Sequence, residues 1–337
     1  MLKFRTLGIF AAAVVASTAA WAENITLRFS TFHPQTHWYV QNHVIPLFSE
    51  IEKVTEGRVK IEILPKVVGS ALSQYDVVRD GLADMAYIIP SYTPGRFILA
   101  EMGELPGGGN NAVRIAPAFN AIYKKYLEQY EEFGRVKPLA IYSTAPVQVF
   151  NARHAIKTMS DFGGLKLRSP GPVPTAILTA ARGVPILKSS SEVYEMLSTG
   201  AIDGQMTTPS TVITGDTLEF TKFATIIPGG VANSVHMIGI NRDKWNSISE
   251  ADRAAIEEIA SEPFAEAVGN SWQTLVEDAI ETMEEAGYEV EFVEDEFQAE
   301  FNKLIQPVLD NWVKQASEKG VENAAEILEE YRKMTAD

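Results

Sequence analysis

Arg168 ends an apolar stretch, GGLKLRSPG (residues 163–171), in a chain whose formal net charge is −15. Leu165 and Leu167 alternate ahead of it, as on a strand with one buried face. SPGPVPTAILTAA follows, with Pro172 and Pro174 ahead of a helix predicted to start near Thr175. A helix start exposes free N–H groups and a partial positive charge. A guanidinium beside it adds a planar, two-pronged donor, and together they could hold a carboxylate. The plainer alternative is a strand-end arginine paired with a surface acid.

The other chemistry-bearing residues argue mostly by elimination. His33 and His37 are four apart, a spacing open to a metal, but Pro34 works against a helix there and no third ligand is evident. No metal site is expected. The chain has no cysteine, which excludes disulfides, thiolate metal sites and a cysteine nucleophile. It has no G-x-x-x-x-G-K-[ST] loop, no G-x-S-x-G elbow and no H-E-x-x-H helix. Gly107–Gly109 follow Pro106 in a loop and read as a turn, not as a phosphate cradle. No cofactor is expected, and no acid–base pair is seen to converge, so an enzyme is the weaker reading.

The 337 residues suffice for about two domains. The acidic balance makes nucleic acid a poor partner, because the summed field repels a polyanion. The first residues, MLKFRTLGIFAAAVVASTAAWAEN, have a basic start (Lys3, Arg5), an apolar run from Leu7 to Ala16 and the small-residue pattern Ala20-Trp21-Ala22. They read as a secretory signal over 1–22, with the periplasm as destination in a Gram-negative cell. The run is short for a membrane anchor, and no later stretch is apolar enough to span a bilayer.

The elements that must position these residues alternate. ITLRFSTF (25–32) reads as a strand, HPQTHW (33–38) as a loop and 39–55 as an amphipathic helix that contains Pro46 and stops at Gly57. RVKIEIL (58–64) reads as a second strand, which makes a βαβ unit and a parallel sheet. A short helix then reaches GLADMAYII (81–89), and SEVYEMLSTGAIDGQM (191–206) repeats the punctuation. Gly81–Asp84 and Gly200–Asp203 share the spacing G-x-x-D, which suggests two α/β lobes built alike. Further strands are predicted at 138–144 and from 234, and a helix over 112–132. After Ser249, a plausible N-cap, the chain reads as helical to Gly287 with a break at Pro263, and two acidic amphipathic helices end it. Strands that leave one lobe and return to it imply a hinge.

In this order GGLKLRSPG, the two G-x-x-D segments, VRDGLADMAY with PGRF (94–97), and GINRDKWNSIS (239–249) resemble the DctP-type solute-binding proteins of TRAP transporters. The resemblance covers essentially the whole chain after the leader. It implies an α/β, two-lobed periplasmic-binding-protein fold of type II character, with a hinge and a long helix spanning both lobes. Lobe I is expected over 23–145 plus 232–270, and lobe II over 146–231 plus 271–337. It also implies capture of an organic acid, with Arg168 gripping the carboxylate, and transfer to a membrane permease driven by an ion gradient. Gln148 stands where sialic-acid binders carry a second arginine. Thr207, Thr208 and Pro209 stand where an asparagine is often found. Those neutral residues point to a monocarboxylate, such as a keto, hydroxy or aromatic acid, over a C4-dicarboxylate or sugar acid. Gln148 and Thr207 or Thr208 are expected to meet polar substituents, with His236 or Asn233 on the second wall. Tyr87, Pro90 and Tyr92 are expected to line the cleft, and Phe32, His33 and Trp38 to supply aromatic walls, with ordinary core packing the alternative for each aromatic. A receptor-coupled sensor would share the same pocket. Nothing in the sequence calls for a dimer, so a monomer is expected.

Overall fold

The structure is a computed structural model and describes residues 24–336; the expected leader, 1–22, lies outside them. Two sheets organise the chain. The first contains β1 (Ile25–Ser30), β2 (Val59–Ile63), β3 (Met85–Ile88), β4 (Val136–Ser143) and β10 (Val235–Asn241), in the order β2-β1-β3-β10-β4. The second contains β5 (Gln148–Asn151), β6 (Lys166–Ser169), β7 (Val184–Leu187), β8 (Gly204–Thr207), β9 (Phe223–Ile226) and β11 (Glu289–Phe292), in the order β11-β9-β5-β8-β6-β7.

The two lobes repeat one topology. In the first, β2, β1 and β3 run parallel and β10 joins β3 antiparallel. In the second, β7, β6 and β8 run parallel and β5 joins β8 antiparallel. The G-x-x-D repeat is the local cause. Gly81 and Gly200 take positive φ (+73° and +68°), the left-handed conformation that ends each preceding helix. Three residues later the aspartate clamps the neighbouring strand. Asp84 accepts the Arg28 backbone N–H at 2.9 Å and donates its own to the Arg28 carbonyl at 3.0 Å. Asp203 does the same with Lys166, at 2.9 and 2.7 Å. The strand residue two beyond the clamp is Ser30 in one lobe and Arg168 in the other.

The chain passes between the sheets at Thr144–Val147 and again at Ile227–Ser234. These passages form a short ribbon: Val147 N–H donates to Ala232 O at 2.8 Å, Val231 N–H to Val147 O at 2.9 Å and Thr144 N–H to Ser234 O at 2.9 Å. Two hydrogen-bonded crossings restrain sliding while leaving rotation about the ribbon, which is a hinge geometry. A third passage is the helix Glu262–Glu285. Pro263 sits in its first turn, where its missing N–H costs nothing, and Ser261 separates it from the helix Glu250–Ala260. Its early residues Phe264 and Val268 pack in the first lobe's core, and Met283 packs with Phe150 and Val212 in the second.

Boundaries differ from expectation where neighbours extend or interrupt an element. The helix predicted over 112–132 is α-helical to Ile122, then widens to a π-helix over Tyr123–Leu127 and tightens to a 3-10 turn over Glu128–Tyr130. The last helix, Ala324–Thr335, falls in the lobe II segment of the sequence division, yet it packs on the lobe I helix Ala112–Ile122. Trp312, one helix earlier, donates its indole N–H to Ile98 O at 2.9 Å. The C-terminal helices therefore strap the lobes together. No helix among the described residues is long and apolar enough to cross a membrane.

Candidate functional site

Between the lobes lies a cavity of about 400 Å³, lined from both sides. That volume suits a molecule of one ring with substituents. β6 delivers Arg168 to its floor from lobe II. The side chain is 2% exposed, and no carboxylate of the described residues forms an ion pair with it. Its partners are neutral. Nε donates to Lys188 O at 2.8 Å, Nη1 to Met206 O at 3.3 Å and Nη2 to the Tyr92 hydroxyl at 3.4 Å. A guanidinium has five N–H donors, so one on each terminal nitrogen remains unassigned. Burial lowers its pKa, and Tyr92 offsets part of that. The surface-acid alternative fails: Glu192 acts on Arg168 only through space and bonds to Lys188 and Ser189.

Lobe I supplies an aromatic wall. Phe32, His33, Trp38, Tyr87 and Tyr92 line the cavity, as expected. Ring centroids step from Tyr92 to Phe32 in 6.3 Å and from Phe32 to His33 in 4.6 Å. Trp38 meets Trp272 edge to face at 5.0 Å. His236 also lines the cavity, but its ring is taken: Nδ1 bonds the Tyr87 hydroxyl at 2.6 Å and Nε2 the Ser234 hydroxyl at 3.1 Å. Burial pushes its pKa down to about 3, so the imidazole is neutral. Opposite, Thr207 and Thr208 line the cavity; the Thr208 hydroxyl is engaged by Ser210 and Thr211, and the Thr207 hydroxyl has no partner among the described residues.

Three expected residues lie elsewhere. Gln148 is 4% exposed and does not line the cavity. Its amide closes a reciprocal clamp on the hinge, donating to Ile227 O at 3.1 Å and accepting Ile227 N–H at 2.9 Å. Asn233 is likewise a hinge residue, donating to Thr144 O at 3.0 Å. Pro90 is buried at the start of a short turn behind Tyr92. The helix start after Arg168 also departs from expectation. It begins at Pro172, and of that segment only Pro170 lines the cavity. Gly171 instead abuts lobe I, where a Cβ on it would stand 2.8 Å from Ser91 Cβ and 3.2 Å from Glu104 Oε2.

Sequence reasoning did not place His37, Tyr39, Ser190 or Trp272 in the cavity, yet all four line it. Ser190 is reached by Tyr92, whose hydroxyl accepts the Ser190 N–H at 3.0 Å across the cleft. The pairing of His33 with His37 was visible as a spacing; the structure stacks their rings at 3.9 Å and 17°. Among the described residues no cluster of three or more His, Asp or Glu is placed to hold a metal ion.

Comparison with known proteins gives a consistent result. Residues 29–316 match the model of the bacterial extracellular solute-binding proteins, family 7. A TRAP periplasmic solute-binding protein from Bordetella bronchiseptica, solved with bound (R)- and (S)-mandelate, is 30% identical with a TM-score of 0.88, covering 92% of this chain and 98% of that one. A marine-metagenome TRAP solute-binding protein specific for aromatic acid ligands, solved with 3-hydroxybenzoate, is 25% identical with a TM-score of 0.84, covering 93% and 98%. The outer membrane transporter protein TsaT of Comamonas testosteroni is 28% identical over 328 residues, 96% of each chain.

Proposed function

Because this chain belongs to the family 7 bacterial extracellular solute-binding proteins, which capture organic acids for TRAP transporters, we propose that its ligand is an aromatic monocarboxylate. The observation that carries this reading is Arg168: a buried guanidinium facing a cavity with no carboxylate paired to it. Burying an unpaired charge costs several kcal/mol, which an anionic ligand offsets. Among the described residues lining the cavity Arg168 is the one Lys or Arg, so a single carboxylate is matched and a second is not. Rings on the lobe I side suit an apolar body. Mandelate and 3-hydroxybenzoate, bound by the two similar solute-binding proteins, have this form.

In this reading Arg168 takes the carboxylate, the Thr207 hydroxyl takes a neighbouring polar atom, and Phe32, Trp38, Tyr87 and Tyr92 hold the ring. The ligand is released unchanged to the permease subunits of the transporter. Export by the leader 1–22 to the periplasm and action as a monomer complete the proposal. The test is calorimetry with mandelate, benzoate and succinate, alongside mass spectrometry of any acid released from the purified protein. The two monoacids are expected to bind and succinate to bind at least tenfold more weakly, about 1.4 kcal/mol. Tighter binding of succinate, or turnover of a bound acid, would overturn the reading.

A further inference from the structure

The lobe I wall holds polar atoms that the carboxylate of a monoacid, held at Arg168, leaves unused. His33 and His37 stand in the loop after β1, brought together by a turn in which His37 N–H donates to Pro34 O at 2.9 Å. His37 Nδ1 accepts the Tyr39 N–H at 3.3 Å, so in the neutral ring Nε2 carries the proton and is a donor. Neither ring nitrogen of His33 has a hydrogen-bond partner among the described residues, and neither is sealed from solvent. His33 can therefore accept or donate. The Trp38 indole N–H is a further open donor on this wall, whereas the polar atoms of the residues behind it are unavailable. His236 and Tyr87 bond each other, and the Tyr39 hydroxyl and Trp272 indole N–H are sealed beneath the surface.

We propose that the stacked His33 and His37 rings form a second polar subsite in the cavity, which takes an uncharged hydroxyl carried by the acid away from its carboxylate. This rests on the aromatic-acid reading above and narrows it to hydroxylated acids. The geometry gives the reason. The wall runs from the Tyr92 hydroxyl beside Arg168 to the Phe32 ring, 6.3 Å from that of Tyr92, and on to His33, 4.6 Å further, so rings separate the pair from the guanidinium. The pair offers a fixed donor and an adaptable partner, which matches a hydroxyl. Burial resists protonation of both rings, and repulsion from His37 and His236 adds to it at His33; His33 is held well below its usual range and His37 at about 4. The subsite is thus neutral where the protein works, and it favours a neutral group over a second anion. An acid without a hydroxyl strips water from these nitrogens and leaves them unpaired.

The experiment has two arms. In the first, calorimetry compares benzoate with 3-hydroxybenzoate and 4-hydroxybenzoate, whose hydroxyls stand away from the carboxylate, for the wild type and for His33→Phe. The wild type is expected to favour the best hydroxylated acid by about tenfold, and His33→Phe to shrink that ratio below about threefold. In the second, phenol and benzyl alcohol are titrated into protein with ¹⁵N-labelled histidine, for the wild type and for Arg168→Met. Both probes lack a carboxylate, so the His33 and His37 ring resonances are expected to move with the same midpoint in both proteins. Movement under phenol alone would mark a phenolic source, and under benzyl alcohol alone an alcoholic one. If no acid binds but a probe moves these resonances, the aromatic-acid reading falls and the subsite stands. Benzoate binding as tightly as every hydroxylated acid, a ratio untouched by His33→Phe, or histidine resonances unmoved by both probes would overturn the subsite.

Discussion

Replacing Arg168 by methionine separates binding from folding, because the structure assigns the guanidinium little net role in the empty fold. Three neutral acceptors hold it, two of them beyond 3.2 Å, and no carboxylate of the described residues is ion-paired with it. Desolvating a guanidinium costs several kcal/mol, which three such bonds largely but not fully return. Methionine replaces the inner part of the side chain without a charge, is two atoms shorter, and leaves the Lys188 and Met206 carbonyls with one partner fewer. Those terms oppose each other, so the empty variant is expected to stay within about 2 kcal/mol of wild type in urea unfolding. Binding should respond very differently. Two charge-assisted hydrogen bonds to a carboxylate, at about 1.5–3 kcal/mol each, give a loss of roughly a hundredfold to ten-thousandfold or more in affinity. A wild type at a hundred times Kd gains about 2.7 kcal/mol, or on the order of 5 °C in Tm, and the variant should gain none. An empty variant destabilised by more than about 4 kcal/mol would show that Arg168 is a strut. A ligand-induced Tm shift that survives would remove it from the binding site.

Two further perturbations act where the lobes touch. Gly171→Ala drives a methyl to within 2.8 Å of Ser91 across the cleft, and overpacking of that size costs about 1–3 kcal/mol in the closed form. Ligand affinity should fall by about tenfold and small-angle scattering should show a larger radius, whereas an unchanged radius and affinity would mean the seam is not set by this contact. Glu104, against that seam, is 2% exposed, and burial followed by repulsion from Glu101 pushes its pKa up to about 8. Its folded pKa lies above the usual 4.5, so stability is fully present below about pH 4.5 and is lost as pH rises to about 8, on the order of 4 kcal/mol in all. His37 and His236 act with the opposite sign, held at about 4 and about 3, and remove stability as pH falls below 6.5. Glu104→Gln should flatten the alkaline limb of a urea-stability profile between pH 5 and 8 and leave the acid limb; an alkaline limb as steep as the wild type's would refute the assignment.

Much of the fold was legible because its signals are local. Gly81 and Gly200 each stop a helix, and Asp84 and Asp203 each clamp the adjoining strand, so the repeated spacing carries the repeated topology. Arg168 was legible for a similar reason: the alternation of Leu165 and Leu167 gives the strand, and the turn after it ends the strand at the cleft. Gln148 was misread because its partner, the Ile227 backbone, is 79 residues away and is brought beside it by the hinge ribbon. The helix start after Arg168 was misread because its surroundings, Ser91 and Glu104, come from the other lobe. Trp272 gave no signal, since a tryptophan on a long amphipathic helix reads as core until the helix is known to cross the cleft.

The asymmetry between two similar lobes explains how binding could be coupled to closure. Equivalent strand positions carry Ser30 in lobe I and Arg168 in lobe II. Ser30 accepts the Val68 N–H at 3.0 Å and is spent on its own lobe, while Arg168 retains donors for a ligand. Charge attraction acts over several ångströms, and ring contacts only at touching distance. On the proposed function, an incoming acid meets Arg168 on lobe II first, and the Phe32–His33–Trp38 wall adds its contacts only once lobe I has turned onto the ring. Tyr92 joins the two events, since its hydroxyl sits on lobe I and bonds both Arg168 and the Ser190 backbone on lobe II. A ligand with no anion lacks the first contact, and one with a second anion brings an unpaired charge into the neutral wall. Closure is therefore favoured for monoanions that fill the aromatic side.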